Sequence, residues 1–254
     1  MKVQLIRHAS LLIEMKGVSI LVDPMLSDAE TLDPTPNTMP PMKNPLVALP
    51  SNVTLETLKK VDAVFITHTH RDHFDDAAIK FLPTDIAIFC QPEDLDKITG
   101  HGFSNVTAIA DNLVWQGMHV KRTKGRHGTG EIGEKMGPVS GFIYEAENEP
   151  SLYITGDTVW CQEVQEACKS QPDVVIAFAG GAEFFTGGPI TMSADDILRL
   201  SQELTNSTIV AVHMNAWNHC HLTRERLRGF LTELSLTQRV LIPENGDIMT
   251  FPVE

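Results

Sequence analysis

Cysteine is scarce in this sequence, and its scarcity excludes a class of protein. Cys90, Cys161, Cys168 and Cys220 are the four cysteines of the 254-residue chain, and no two of them have the C-x-x-C spacing. Four cysteines in a chain of this length do not make the dense disulfide framework of small secreted domains. We therefore expect buried, reduced thiols, with Cys220 notable because histidines flank it.

Long apolar runs are also missing. No stretch approaches the roughly 20 apolar residues that a transmembrane helix needs. At the N-terminus, charges at Lys2, Arg7, Glu14 and Lys16 interrupt any signal-peptide apolar region. The sequence therefore predicts a cytoplasmic protein that does not associate with membranes.

Positive charge is in short supply. Lysine and arginine total 20 against 33 aspartates and glutamates, which gives a net charge of -13. Such a chain repels polyanions, and it has no extended basic stripe of the kind that nucleic-acid binding uses. We expect a small-molecule substrate and no nucleic-acid partner, while a homo-oligomer stays open.

The hydrophobic pattern predicts one α/β domain over residues 1–254. Three short strands come first, and from residue 54 onward helices and strands alternate in two successive halves. This arrangement predicts two sheets packed together with helices outside. The predicted strands are 2–7, 9–15, 18–22, 63–67, 86–90, 106–110, 118–123, 140–146, 151–155, 173–179, 208–213 and 239–243, and the predicted helices are 55–62, 76–82, 93–99, 160–169, 194–204 and 224–234.

Residues 24–50 do not fit this alternation. The segment contains seven prolines, too many for regular structure, and it is longer than an ordinary connection. Loops of this length in compact domains are lids, binding loops or disordered insertions. The sequence leaves open which of these the segment is.

The stretch "ITHTHRDHFD" places metal-binding side chains directly after a predicted strand. His68 and His70 are two apart in extended chain and point to one side, while Asp72 and His73 follow on a turn. Imidazole and carboxylate are ligands for Zn²⁺ and also for Mn²⁺, iron and Co²⁺. Because the sulfur-rich pattern of structural zinc is absent, we expect a catalytic site with open coordination positions.

The motif His68-x-His70-x-Asp72-His73 resembles the signature of the metallo-β-lactamase fold superfamily. The resemblance implies an αββα sandwich, in which two mixed β-sheets pack face to face with helices on the outer faces. It further implies that one metal ion is held by His68, His70 and His127, that a second is held by Asp72, His73 and His213, and that Asp157 bridges the two.

The opening "IRHASLLIEMKGVSILVDP" resembles, within that superfamily, the branch of ascorbate 6-phosphate lactonase-like hydrolases. Arg7 stands where that branch commonly has glycine. His8 would then either face the site or be a buried structural histidine. Asp23 would accept a hydrogen bond from a ligand histidine and orient it.

Further candidates lie outside the ligand set. His219 and His221 either contact the substrate or shuttle protons, or they are ordinary loop histidines. Arg126 belongs to a basic cluster that either faces solvent or binds a charged group of the substrate. Asp72, a ligand by the resemblance, is the candidate catalytic residue, because a carboxylate ligand near the bridging water is well placed to take the proton released as the tetrahedral intermediate collapses.

The resemblance implies a hydrolase with two divalent ions, Zn²⁺ first and Mn²⁺ second, that directs a metal-bridged hydroxide at a small ester or lactone, either neutral or with an anionic or phosphorylated group. A phosphodiesterase acting on a small substrate is one alternative. A mono-iron dioxygenase is another, whereas His70 departs from the glutamate of the di-iron relatives. A binding protein without catalysis is the third.

Overall fold

The computed structural model describes residues 1–253, so residue 254 of the predicted domain lies outside the described residues, and the extent of that domain stays a prediction. The first sheet has seven strands in the order β14-β1-β2-β3-β4-β5-β6. Strand β1 pairs antiparallel with β2 and with β14, whereas β3 to β6 run parallel to one another. Its strands are β1 (Lys2–Arg7), β2 (Ser10–Met15), β3 (Val18–Val22), β4 (Ala63–Ile66), β5 (Ala87–Cys90), β6 (Val106–Ala108) and β14 (Ile248–Thr250).

The second sheet also has seven strands, in the order β13-β12-β11-β10-β9-β8-β7. Strands β10 to β13 are parallel, while β7, β8 and β9 form an antiparallel meander. Its strands are β7 (Asn112–Trp115), β8 (Met118–Lys124), β9 (Ser140–Ala146), β10 (Leu152–Ile154), β11 (Val174–Phe178), β12 (Thr208–Val212) and β13 (Val240–Leu241).

Seven α-helices accompany the two sheets within the described residues. The best-capped of them is α6, where Ser193 and Asp196 form a capping box that satisfies exposed backbone N–H groups. The helices are α1 (Leu55–Leu58), α2 (Asp76–Phe81), α3 (Leu95–Gly100), α4 (Gly130–Met136), α5 (Gln162–Cys168), α6 (Ala194–Glu203) and α7 (Arg224–Glu233). Within residues 1–253, no helix is long and apolar enough to cross a membrane.

Strand β11 shows why the two sheets stack with helices outside. Val174, Ile176 and Phe178 point into the core between the sheets, whereas Val175 and Ala177 point to the helices on the outer face. Because a strand alternates its side chains, a strand covered on both faces is apolar throughout. Burying each large side chain contributes about 1.5–3 kcal/mol. The predicted α/β sandwich of two mixed sheets is confirmed.

Three elements escaped the sequence interpretation. Strand β7 lies at a sheet edge and is only partly buried, and β14 has three residues, so neither carries a long apolar pattern. Helix α4 contains Gly130 and Gly133 and buries no side chain. Glycine weakens a helix, and a helix without a buried face has no hydrophobic period to detect.

Residues 24–50 are an ordered wall of the molecule. The fully buried Arg7 side chain donates hydrogen bonds to the carbonyls of Met25, Ser27 and Val47, and so ties both ends of the segment to β1. Burial lowers the pKa of Arg7 to about 10, which leaves it charged at neutral pH. Asn44 and Asn218 hydrogen-bond to each other and hold the middle of the segment against the loop after β12.

Candidate metal centre

The seven predicted ligands come together where strands of both sheets end. His68 begins the loop after β4, Asp157 follows β10, and His213 follows β12. The turn from residue 70 to 74 closes with backbone hydrogen bonds from His73 and Phe74 to the His70 carbonyl. All seven are buried except His70, which is partly exposed. The carboxyl ends of parallel strands thus converge on one point, as layered α/β folds favour.

The first cluster consists of three histidines, whose facing nitrogens lie within 4.8 Å of one another. His68 Nε2 is 2.9 Å from His70 Nδ1, which is 3.3 Å from His127 Nε2. A zinc ion bonded at about 2.0–2.1 Å to two tetrahedral ligands separates their donor atoms by roughly 3.3–3.4 Å. The observed spacing therefore fits three ligands of one ion.

The second cluster consists of His8, Asp72, His73 and His213, all buried and likewise within 4.8 Å. His213 Nε2 lies 3.2 Å from His73 Nε2, and each of these nitrogens is 3.8 Å from Asp72 Oδ2. His8 Nε2 is 3.2 Å from the same carboxylate oxygen. The geometry thus places His8 beside the three ligands expected for a second ion.

Asp157 lies between the two clusters with 1% of its surface exposed. Its Oδ2 is 3.2 Å from His73 Nε2 and 3.5 Å from His127 Nε2, and its Oδ1 is 3.1 Å from His213 Nε2. One carboxylate therefore faces histidines of both clusters, which is the position that a bridging ligand needs.

Asp23 orients histidines of both clusters from behind. Its carboxylate accepts a hydrogen bond from His73 Nδ1 at 2.8 Å and another from the Thr67 hydroxyl at 2.7 Å. The Thr67 oxygen in turn lies 3.1 Å from His68 Nδ1. Because the proton of each imidazole is fixed on Nδ1, Nε2 is left free for a metal. Asp23 lies where the sequence predicted, beside a ligand histidine.

We expect the Asp23→Asn substitution to weaken zinc binding by about 10–100-fold, as loss of an outer hydrogen-bond partner does at other metal sites. The carboxylate accepts from the Thr67 N–H at Oδ1 and from the Thr67 hydroxyl and His73 at Oδ2, whereas an amide has one acceptor oxygen and would turn its NH₂ group towards at least one of these donors. The measurement is zinc titration of chelator-treated protein against a competing dye. The matched control is Asp62→Asn, because Asp62 accepts from the Ser19 N–H at the surface. Equal zinc affinities for both variants would contradict the role of Asp23.

Two other histidines also have an outward partner. His127 donates from Nδ1 to the Ile190 carbonyl at 2.8 Å. His213 Nδ1 lies 3.5 Å from the sulfur of Cys220. In both cases Nε2 points at the clusters. Burial raises the pKa of the Cys220 thiol well above its usual range, so this thiol stays neutral.

The electrostatic environment of the site favours ionised carboxylates and, at most of the histidines, neutral rings. Burial alone would raise the pKa values of Asp72 and Asp157, but neighbouring histidines lower both well below the ordinary range. Burial lowers the pKa of His70 to about 4 and keeps its ring neutral. At His73, burial is outweighed by Asp157, Asp72 and Asp23, which raise the pKa well above its usual value. Metal uptake would thus displace a proton from His73.

A cavity of about 210 Å³ opens over the clusters. Metal-site residues form its floor, and apolar side chains from four separate segments form much of its wall. It is lined by Thr35, Pro36, His70, Arg71, Asp72, His127, Met136, Phe184, Trp217 and His219. A larger cavity of about 370 Å³ lies between β8 and α5, but none of the seven ligands lines it. Chemistry rather than volume therefore identifies the site.

The remaining candidate residues, His219, His221 and Arg126, differ in their position relative to the cavity. His219 lines the cavity, and burial lowers its pKa to about 4. His221 lies farther out, with Nε2 3.0 Å from the Thr38 hydroxyl, and it does not line this cavity. The Arg126 side chain is 54% exposed and pairs with Glu163 at 3.0 Å. Arg126 does not line this cavity, and the choice between a solvent-facing role and a contact with the substrate stays a prediction.

Sequence reasoning missed the cavity wall. Phe184 and Trp217 are apolar residues in loops with no period, and Thr35 and Pro36 belong to the proline-rich segment. Trp217 donates its indole N–H to the Thr35 hydroxyl at 2.8 Å, which closes the wall between two loops. A contact between residues 182 positions apart leaves no local signal in the sequence.

Comparison with known proteins agrees with this geometry. The family profile described as "Beta-lactamase superfamily domain" matches residues 2–213. The chain is similar to the UPF0173 protein YddR of Bacillus subtilis, with 35% identity over 99% of the chain and 100% of the relative. It is also similar to a UPF0173 metal-dependent hydrolase of Caldivirga maquilingensis, with 24% identity over 97% of the chain and 96% of the relative.

A solved structure resembles the chain along its whole length. This is the isothiocyanate hydrolase from Delia radicum gut bacteria, with 37% sequence identity and a TM-score of 0.95. The match covers 99% of this chain and 100% of the other.

Proposed function

Because the chain belongs to the metallo-β-lactamase superfamily and, within it, to the UPF0173 metal-dependent hydrolases, we propose that it hydrolyses a small, uncharged substrate with an electrophilic carbon, an organic isothiocyanate first of all. The proposal rests on one observation, that the histidine and aspartate clusters form the floor of a small, largely apolar cavity. The similar isothiocyanate hydrolase supports the same substrate class.

The side chains present suit two divalent ions. His68, His70 and His127 would hold one ion, and Asp72, His73 and His213 the other, with Asp157 between them. Nitrogen and carboxylate donors without thiolate favour Zn²⁺ and accommodate Mn²⁺. When bound, such ions supply an acidified water and a Lewis acid for developing negative charge.

The charge of the cavity favours a neutral substrate. Arg71 is its one lysine or arginine, and that side chain is engaged elsewhere. It donates to the Asp33 carbonyl at 2.7 Å and lies 5.8 Å from the centre of the Trp217 ring. A phosphate group would need several convergent cations or N–H donors. We therefore place the phosphorylated substrates of lactonase-like relatives behind uncharged esters and lactones, and both behind isothiocyanates.

The wall of the cavity favours an aromatic or aliphatic substituent. Pro36, Met136, Phe184 and Trp217 are apolar, and together they surround the approach to His70 and Asp72. A cavity of about 210 Å³ is small, so it accommodates a single-ring substituent rather than a polymer. Burial of such a ring against aromatic side chains supplies the binding free energy.

Asp72 can carry out the proton transfers that the proposed reaction needs. Addition of water to the central carbon of R–N=C=S, followed by cleavage of the carbon–nitrogen bond, yields R–NH₂ and carbonyl sulfide. Both hydrogens of the water end on nitrogen. Asp72 is ionised and lines the cavity, so it can accept a proton from the water and return it to the leaving nitrogen.

A substrate panel tests the proposal. Zinc-loaded and manganese-loaded protein would be assayed with benzyl isothiocyanate, phenyl acetate, a neutral lactone, a phosphorylated lactone and bis(p-nitrophenyl) phosphate. We expect the highest kcat/KM for the isothiocyanate, measured by amine release. A preference for either phosphorylated compound would refute the proposed substrate class.

The dioxygenase alternative belongs to a different reaction class. It would require iron-loaded protein to consume O₂ in the presence of a substrate, which an oxygen electrode detects. Hydrolysis by zinc-loaded protein under nitrogen, without any O₂, would exclude that alternative for the tested substrate.

Two neighbouring phenylalanines give a matched test of the apolar wall. Phe184 lines the cavity with its ring 6.1 Å from that of His219, whereas Phe185 is 67% exposed. We expect Phe184→Ala to raise KM for benzyl isothiocyanate about tenfold, since loss of one aromatic contact costs roughly 1–1.5 kcal/mol. Phe185→Ala should leave KM unchanged. Equal KM values in steady-state assays of the two variants would argue against ring binding at this wall.

A further inference from the structure

We propose that His8 is a positioning residue that donates a hydrogen bond to Asp72, and not a fourth ligand of the second ion. This inference rests on the proposed metal centre, because Asp72 is one of its ligands. It assigns a role to the one residue that the structure adds to the second cluster.

His8 is held rigidly at the turn between β1 and β2. Its backbone adopts a left-handed φ of 60°, which is uncommon for a residue other than glycine. Its carbonyl accepts a hydrogen bond from the His213 N–H at 3.0 Å. The imidazole is fully buried, and its centroid lies 3.6 Å from that of the His213 ring. The ring therefore has little freedom to turn.

The surroundings of its two nitrogens select one tautomer. Nε2 lies 3.2 Å from Asp72 Oδ2, whereas Nδ1 is buried and has no hydrogen-bond partner in the described chain. A metal bound at Nε2 would force the proton onto Nδ1 and leave a buried donor unsatisfied, which is unfavourable. A proton on Nε2 is instead donated to the carboxylate.

Two of the proposed ligand histidines show the opposite arrangement. His73 donates from Nδ1 to Asp23, and His127 donates from Nδ1 to the Ile190 carbonyl. Histidines that bind metal almost always have such an outward acceptor. His8 lacks one, and this difference separates it from the ligands although its distance to Asp72 resembles theirs.

The hydrogen bond from His8 would hold the Asp72 carboxylate in the orientation that faces the second ion. Asp72 Oδ2 lies 3.8 Å from both His73 Nε2 and His213 Nε2. A carboxylate oxygen has two lone pairs, so it can accept from His8 and still face an ion. Loss of the donor would let the side chain rotate towards the cavity that it lines. The second ion should then bind more weakly, with little change at the first.

The test is zinc titration of chelator-treated protein with a competing dye, which resolves two binding steps without any activity assay. We expect His8→Ala to weaken the second step about 10–100-fold, the range for loss of an outer partner, and to leave the first within about twofold. His8→Gln retains an N–H donor of similar reach and should recover most of the affinity. The positive control for a lost ligand is His213→Ala.

The outcomes separate this inference from the proposed centre. If the wild type binds two ions and His8→Ala matches it, or if both His8 variants lose the second ion as His213→Ala does, the positioning role is wrong. A wild type that binds fewer than two ions overturns the proposed centre itself and this role with it.

A second measurement does not depend on the folding of a variant. In zinc-loaded wild-type protein labelled with ¹⁵N-histidine, long-range ¹⁵N–¹H spectra distinguish the tautomers of each imidazole. We expect one buried ring with its proton on Nε2 and no metal bond, assigned to His8 by its contacts with Trp217, whose ring centroid lies 6.0 Å away. A His8 ring protonated on Nδ1 with a metal-bound Nε2 would overturn the proposal.

Discussion

Replacing Asp157 by alanine is expected to lower kcat/KM by at least about a thousandfold and to remove most of the bound metal, because this carboxylate faces both clusters. Its oxygens lie within 3.5 Å of histidine nitrogens in both clusters. Its loss would leave the histidines of both clusters without their shared negative charge.

Two other aspartate-to-alanine variants serve as comparisons for this prediction. Asp85→Ala removes an exposed carboxylate between α2 and β5 that belongs to neither cluster, and it should leave both metal content and kcat/KM unchanged. Asp72→Ala should lower turnover strongly while the first ion is retained, because Asp72 belongs to the second cluster alone. Elemental analysis beside steady-state assays makes the measurement. Asp157→Ala protein with two ions and near-normal turnover would contradict a bridging role.

Chelation is the second large effect. Treatment with a strong chelator should abolish hydrolysis, and added Zn²⁺ or Mn²⁺ should restore it, since metal-free side chains lack a Lewis acid and an acidified water. Protein purified without chelator should contain about two equivalents of metal, and His127→Ala and His213→Ala should each lose about one. The two histidines belong to different clusters.

Elemental analysis distinguishes the alternatives to this expectation. Loss of both ions from each variant would mean that the clusters bind metal cooperatively rather than as two separable sites. One equivalent of iron in the purified protein would favour the mono-iron dioxygenase over the hydrolase. Protein that retains full activity after complete metal removal would contradict the metal-dependent mechanism.

The sequence could predict that candidate ligands would meet because much of their geometry is local. His68, His70, Asp72 and His73 lie within six consecutive positions, so a strand followed by one turn brings them together whatever the rest of the chain does. Asp157 and His213 each follow an apolar strand, and strand ends converge in this fold, whereas His127 follows the amphipathic strand β8 and was implied by the resemblance. The sandwich itself followed from strands such as β11 that are apolar on both faces.

The cavity wall could not be predicted in the same way. Phe184, Trp217 and Thr35 meet only because the loops that carry them fold over one sheet edge, and no periodicity records such a meeting. His8 illustrates the same limit at closer range. Its role depends on an absent partner at Nδ1, which is a property of the packed interior and not of residue order.

The lactonase-like opening shows how a resemblance can be right about the superfamily and uninformative about the substrate. The relatives found by comparison carry the broader UPF0173 name, and that finer branch is not among their names. Arg7, the departure from the branch pattern, anchors residues 24–50 through three carbonyls. That segment supplies Thr35 and Pro36 to the cavity wall, so the departure bears on the substrate site.

The pairing of β14 with β1 bears on the order in which the chain is made. The polypeptide leaves the first sheet at residue 108 and returns to it at residue 248. On the ribosome, β1 therefore has a neighbour on one side only while the whole second sheet is synthesised. An unpaired strand edge invites association with other chains. The side chains of the metal centre all precede residue 214, so they can come together before β14 pairs with β1.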